Sequence, residues 1–325
     1  MGVVGKETGA RQLMIAAQGT ILLDGGMGRQ LARIGAPFRQ PEWSALALME
    51  APETVAEAHR QFIDAGAEVI TTNSYALVPF HIGEARFASD GARLADLSGR
   101  LARQAADAAN KRVTADAAGR PVKVAGSLPP LFGSYRPDLF DAARAPEMLA
   151  VLTEGLAPYS DLWLAETQSS IIEAEAAAKA ALARAAKPLW ISYTLQDETD
   201  DPATPRLRSG EPAGAAAKAA LALGAEAVLF NCSQPEVMGA AIAAARQAVA
   251  AAGREARIGV YANAFPPQTK KAEANAALSR LREDLDPASY LGWAETWRAE
   301  GASILGGCCG IGPEHIAHLK ARLAA

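Results

Sequence analysis

The sequence predicts a single-domain (β/α)8 TIM barrel, and three observations carry that expectation. Short apolar runs begin near residues 21, 69, 122, 162, 189, 227, 258 and 303, on average about 40 residues apart. Helical sequence separates each run from the next. The runs are apolar along their length rather than alternating, as strands of a parallel sheet covered on both faces are. Eight such β–α units close naturally into a barrel. The rival, an open doubly wound sheet binding a dinucleotide, loses support because no Gly-x-Gly-x-x-Gly follows the first run.

Residues 1–18 are polar without clear periodicity and are expected to form a loose N-terminal arm or a covering helix; residues 19–325 are assigned to the barrel. Thr20 to Gly26 reads as a strand ending in an acid and a glycine turn. Glu53 to Ala65 places Val55, Ala58, Phe62 and Ile63 on one helical face, and Gly66 stops it. Ala67 to Tyr75 is the second strand, residues 90–116 a long helix, and Val122 to Ser127 the third strand. A helix over 145–157 leads to strand four, Leu162 to Thr167. Ala- and Glu-rich residues 169–186 form a helix by propensity, followed by strand five, Leu189 to Leu195. The polar loop Gln196 to Gly210 is long enough to be expected mobile. Helix 213–223 precedes strand six, Ala227 to Asn231. Helix 236–252 precedes strand seven, Ile258 to Asn263, and helix 287–300 precedes strand eight, 303–307. The closing helix, 313–324, starts with Pro313 and Glu314, as a helix start should.

Composition narrows the function classes. The chain has 325 residues, 50% of them hydrophobic and 21% charged, with a net charge of −4. That is a globular balance with no electrostatic pull toward nucleic acid or an anionic membrane. No apolar run approaches the roughly 20 residues a membrane helix needs. Residues 1–18 lack the features of a secretory signal. The three cysteines form no closed disulfide framework. A reducing cytoplasm fits this pattern, and the reading leaves room for a homo-oligomer.

In a barrel the strand C-termini share one rim, where active sites are built. Asp24 ends strand one, Thr72 and Asn73 strand two, Ser127 strand three, and Glu166 strand four. Cys232 ends strand six, Asn263 strand seven, and Cys308 with Cys309 strand eight. Every cysteine of the chain is therefore expected on one rim, although 76 positions separate Cys232 from Cys308. Three thiolates with an open fourth position describe a zinc site that accepts a ligand. A vicinal disulfide or inert buried thiols are the plain alternatives for Cys308 and Cys309. His59, His81, His315 and His318 fall in helices or loops and read as surface or packing residues.

These motifs resemble the zinc-dependent homocysteine S-methyltransferases. The likeness is carried by Leu22-Leu23-Asp24-Gly25-Gly26-Met27-Gly28, Trp43-Ser44-Ala45, Ala65-Gly66-Ala67 and Thr72-Asn73-Ser74-Tyr75. It continues through Ala125-Gly126-Ser127, Glu166-Thr167, Asn231-Cys232, Tyr261-Ala262-Asn263 and Gly306-Gly307-Cys308-Cys309-Gly310, followed by Pro313-Glu314-His315-Ile316. The resemblance implies zinc on Cys232, Cys308 and Cys309, with homocysteine sulfur in the fourth position attacking a methyl group to give methionine. It points to Asp24, Gly25 and Glu166 around the substrate, with the two acids holding the homocysteine ammonium; a cap or a barrel salt bridge is the plainer role. Asn263 stands as a fourth zinc ligand before substrate arrives, or as a loop-bonding residue. Thr72, Asn73 and Ser127 stand for the substrate carboxylate or for support of its binding groups. Trp43 and Tyr75 stand for the donor's positive charge, or for core packing. Departures from the family pattern at Ser127-Leu128-Pro129-Pro130, at Ala262 and in loop 197–209 bear on the methyl donor rather than the metal. A small sulfonium, S-methylmethionine or S-adenosylmethionine, is the expected donor. The alternatives are a betaine-type ammonium, a corrinoid partner, a selenocysteine or selenohomocysteine acceptor, a non-catalytic metal-binding barrel, and a zinc hydrolase.

Overall fold

Residues 19–116, 120–198, 201, 203–267 and 280–323 are described by the structure, a computed structural model. The expected arm, residues 1–18, lies outside the described residues. The strands are β1 Ile21–Leu22, β2 Val69–Thr71, β3 Lys123–Leu128, β4 Leu162–Gln168, β5 Leu189–Tyr193, β6 Ala227–Asn231, β7 Arg257–Tyr261 and β8 Ile304–Leu305. The helices are α1 Met27–Arg33, α2 Ser44–Glu50, α3 Pro52–Asp64, α4 Pro79–Ile82, α5 Glu84–Asp116, α6 Ala145–Leu156, α7 Ile171–Arg184, α8 Ala213–Ala222, α9 Met238–Ala252, α10 Pro287–Glu300 and α11 Pro313–Leu323. No helix among the described residues is long and apolar enough to cross a membrane.

All strand pairs are parallel, in the order β1–β8–β7–β6–β5–β4–β3–β2. The seam between β1 and β2 closes through a parallel bridge from Leu23 to Val69. Two backbone bonds complete it, Glu68 N to Leu22 O at 2.7 Å and Asp24 N to Val69 O at 3.1 Å. The result is the (β/α)8 barrel that eight evenly spaced strands require.

Side chains alternate across each strand with a period of two. Leu162, Leu164, Ala227, Leu229 and Ile304 belong to the small cluster that fills the barrel. Their neighbours Trp163, Ala165, Val228, Phe230 and Leu305 belong to the large cluster between strands and helices. The same alternation carries the inward row past Leu164 to Glu166, which is how an acid comes to stand at the top of a hydrophobic interior.

Helix α3 shows why the outer layer forms. Pro52 occupies its first position and Glu53 its first turn; Val55, Ala58 and Phe62 are buried along one face. Gly66, at φ 110°, then turns the chain into β2. His59 is buried on this face, and burial lowers its pKa to about 4, which makes it a packing residue.

Two expectations need correction. The second strand is shorter than Ala67 to Tyr75, because Ser74 N donates to Thr72 O at 2.8 Å and Leu77 N to Ser74 O at 3.0 Å, coiling the chain at the rim. The loop from Gln196 to Gly210 is pinned in its described part. Leu195 and Leu207 form an antiparallel bridge, and Arg208 pairs with Asp197 at 2.8 Å in a buried ion pair. Asp197 Oδ1 also accepts from Gln234 N at 2.8 Å. A desolvated charge pair of this kind holds only with such added hydrogen bonds, and they tie the loop to the rim.

Candidate active site

The strand C-termini open into one pocket, and most of the residues singled out from the sequence line it. Asp24, Gly25, Trp43, Thr72, Asn73, Tyr75, Glu166, Cys232, Cys308 and Cys309 all form its wall. Ser127 and Asn263 stand outside that wall, although both are buried.

The three sulfurs lie within 4.8 Å of one another. Cys232 and Cys308 are in disulfide contact, with Cα atoms 5.7 Å apart, and Cys309 is free. The sequence reading set three separate thiols here; contact of the first two follows from how closely the rim brings β6 and β8 together. Tetrahedral sulfurs at 2.3 Å from a zinc ion stand about 3.8 Å apart. With the Cys232–Cys308 pair reduced, this donor set therefore fits a single thiophilic cation. Burial pushes the Cys309 thiol up to about 11, with Arg29 the main opposing influence. A positive ion between the sulfurs would reverse that preference.

The backbone places each sulfur by long-range bonds. Cys308 N donates to Ala262 O at 2.9 Å, Gly307 N to Asp24 O at 3.0 Å, and Ala264 N to Cys309 O at 2.8 Å, so β8 is fastened to both β7 and β1. Gly307 allows this approach: a Cβ there would overlap the Ile311 side chain. Gly307→Ala is expected to lower stability by about 1–3 kcal/mol, read as a fall in thermal midpoint. An unchanged midpoint would show that Ile311 yields.

Cys232 is fixed from β4 and β5. Asn231 Oδ1 accepts from Ser192 Oγ at 2.8 Å and from Thr167 N at 3.0 Å. Asn231 Nδ2 donates to Thr167 Oγ1 at 2.8 Å, and Thr167 Oγ1 donates to Cys232 Sγ at 3.8 Å. Among the described residues, the non-glycine residues at positive φ are Trp43, Tyr135, Thr167 and Cys232. All four line this pocket. Such conformations are costly for residues with a Cβ and persist where surrounding structure enforces them, commonly at functional sites.

The acids are buried and connected. Asp24 receives Thr71 N at 2.7 Å and Thr71 Oγ1 at 3.0 Å. Glu166 receives the Ser127 hydroxyl. Burial raises both carboxyls to about 7, and the Glu166 charge adds to the rise at Asp24. A cationic ligand would hold both ionised.

Other expected binding groups are already engaged. Thr72 Oγ1 accepts from Ser127 N at 3.0 Å and bonds Ser74 Oγ at 2.9 Å. Asn73 Nδ2 donates to Ser44 O at 3.1 Å. Asn263 Oδ1, the atom suited to a metal, accepts from Phe265 N at 3.2 Å and so shapes its own loop.

Sequence reasoning missed Arg29, Tyr135, Phe265 and His81, which all line the pocket. Tyr135 lies under the Arg208 guanidinium, 4.8 Å from the ring centroid. His81 bonds Pro41 O at 2.9 Å, and burial lowers its pKa. Its packing reading stands, but its ring also forms wall. None of these four residues lies at a strand end, so the rim rule gave no signal for them.

The family model for homocysteine S-methyltransferase matches residues 21–323. Homocysteine S-methyltransferase of Escherichia coli K12 is 30% identical over 95% of this chain and 97% of its own. Selenocysteine Se-methyltransferase of Brassica oleracea var. italica is 24% identical over 97% of this chain and 92% of its own. The metallated form of the homocysteine methyltransferase MmuM from E. coli superposes with a TM-score of 0.71, at 27% identity, over 93% of this chain and 96% of that one. The oxidized form of MmuM superposes at 0.67, at 27% identity and with the same coverage. The barrel, the convergent cysteines and a family match over nearly the whole chain make this protein a member of the homocysteine S-methyltransferase family.

Proposed function

We propose that this enzyme transfers a methyl group from a small sulfonium donor to the thiolate of homocysteine at a zinc ion, giving methionine. The observation that carries the reading is three cysteine sulfurs within 4.8 Å of one another, in the pocket that also presents Asp24 and Glu166. Zinc held by Cys232, Cys308 and Cys309 would supply the positive charge that keeps an incoming thiol deprotonated near neutral pH. Asp24 and Glu166 hold the acceptor's ammonium, and each retains lone pairs beyond the bonds to Thr71 and Ser127. Trp43, Tyr75 and Tyr135 present aromatic surface to the donor's positive charge, an attraction of about 0.5–2 kcal/mol. Tyr75 is fixed by a 2.6 Å bond to Ser134 Oγ.

An in-line displacement needs a thiolate, a cationic donor and alignment, so positioning is the main contribution of the walls. A thioether leaves more readily than a tertiary amine, which favours a sulfonium over a betaine-type donor. Thiol ligands that must stay reduced suit a cytoplasmic setting.

Reduced, zinc-loaded protein should form methionine from homocysteine with S-methylmethionine or S-adenosylmethionine, and little with betaine. Turnover with betaine alone would overturn the donor assignment; silence with every donor would favour a non-catalytic barrel. Selenohomocysteine as acceptor tests a second reading, which the relative named selenocysteine Se-methyltransferase favours.

A further inference from the structure

We propose that Arg29 binds the carboxylate of an amino-acid reactant in this pocket, an inference that rests on the methyltransferase reading above. Homocysteine and S-methylmethionine each carry an ammonium and a carboxylate. Asp24 and Glu166 answer the ammonium, so the wall must also supply a counterpart for the carboxylate. The uncharged donors expected for that task are committed elsewhere: Thr72 to Ser74 and Ser127, Asn73 to Ser44, and Ser127 to Glu166.

Among the described residues of the wall, Arg29 is the side chain that carries a positive charge at neutral pH, since burial keeps His81 neutral. It projects from α1, and its guanidinium carbon stands 5.6 Å from the centre of the Phe265 ring, in the loop after β7. Stacking uses the face of the guanidinium, while its N–H groups lie in the plane, where a carboxylate is met edge-on. The acids and thiols of the wall otherwise give the carboxylate only repulsion.

The test uses reduced, zinc-loaded protein and calorimetric binding. Homocysteine is compared with 3-aminopropane-1-thiol, its decarboxylated analogue, and S-methylmethionine with (3-aminopropyl)dimethylsulfonium. Arg29→Met keeps the stem over Phe265 and removes the charge. For one of the two carboxylate-bearing reactants, affinity should fall at least about tenfold, while affinity for its decarboxylated partner and the zinc content stay unchanged. The pair that responds identifies the acceptor or the donor as the source of the carboxylate. Arg29→Lys should recover part of the loss, which a purely structural role would not predict. Equal weakening within each pair, or no change in either, overturns the proposal. Because binding is read without turnover, absence of methyl transfer with every donor would sink the methyltransferase reading while leaving the Arg29 result intact.

Discussion

Cys308→Ala is expected to abolish stoichiometric metal binding and to slow methionine formation by about 10³–10⁴-fold. The magnitude follows from ionisation. A thiol buried as Cys309 is, with a pKa of about 11, is thiolate in roughly one molecule in 10⁴ at pH 7. An acceptor thiol in the same surroundings, with no cation beside it, faces a similar penalty. The measurement is metal content by mass spectrometry on reduced protein, alongside the rate with homocysteine and S-methylmethionine. Wild type, kept reduced, should hold about one zinc per chain, because zinc takes the thiolate form of its cysteine ligands. Full zinc occupancy in the variant would remove Cys308 from the site. Unchanged circular dichroism in the variant separates loss of ligand from loss of fold.

The second large effect sets function against stability. Burial holds the Glu166 carboxyl near pKa 7, whereas in the unfolded chain it titrates near 4.3. Between those values the folded protein keeps a proton that the unfolded chain has released, so stability falls as pH rises through this window. Above it the native state carries a buried charge. Glu166→Gln keeps an oxygen to accept from the Ser127 hydroxyl and removes that charge. It should therefore raise stability at pH 8 by roughly 1–3 kcal/mol and change little at pH 4. The same substitution removes a charged partner of the homocysteine ammonium and should weaken homocysteine binding by about 10–100-fold. Denaturant titrations at pH 4 and 8, with calorimetric binding, check both halves. A variant less stable than wild type at pH 8 would show that a fixed positive group already compensates the carboxylate.

The eight strands were legible from the sequence because each is a local apolar run. Their ends placed Glu166 at the close of the fourth run and brought Cys232, Cys308 and Cys309 to one rim; which residues of each run face the barrel interior was not legible, because the runs are apolar on both faces. Asp24 was legible for the same reason, as an acid directly following a buried run. The occupation of polar groups was not legible. Thr72, Asn73 and Ser127 look like free donors along the chain, but their partners are 2 to 55 positions away. Loop 196–210 looked slack because the Asp197–Arg208 pair and the Gln234 contact form only when β5, β6 and the loop are assembled.

The amino-acid order alone determined the barrel, the cysteine triad and the strand-end acids, since strand direction and side-chain alternation follow from short-range sterics and apolar patterning. Tertiary structure alone decided which polar atoms remain for a ligand, which four non-glycine residues among those described take positive φ, and that Arg29 and Phe265 meet across the pocket. Those outcomes depend on contacts between loops far apart in sequence, whose geometry is set by the closed sheet and its packed helices rather than by neighbouring residues.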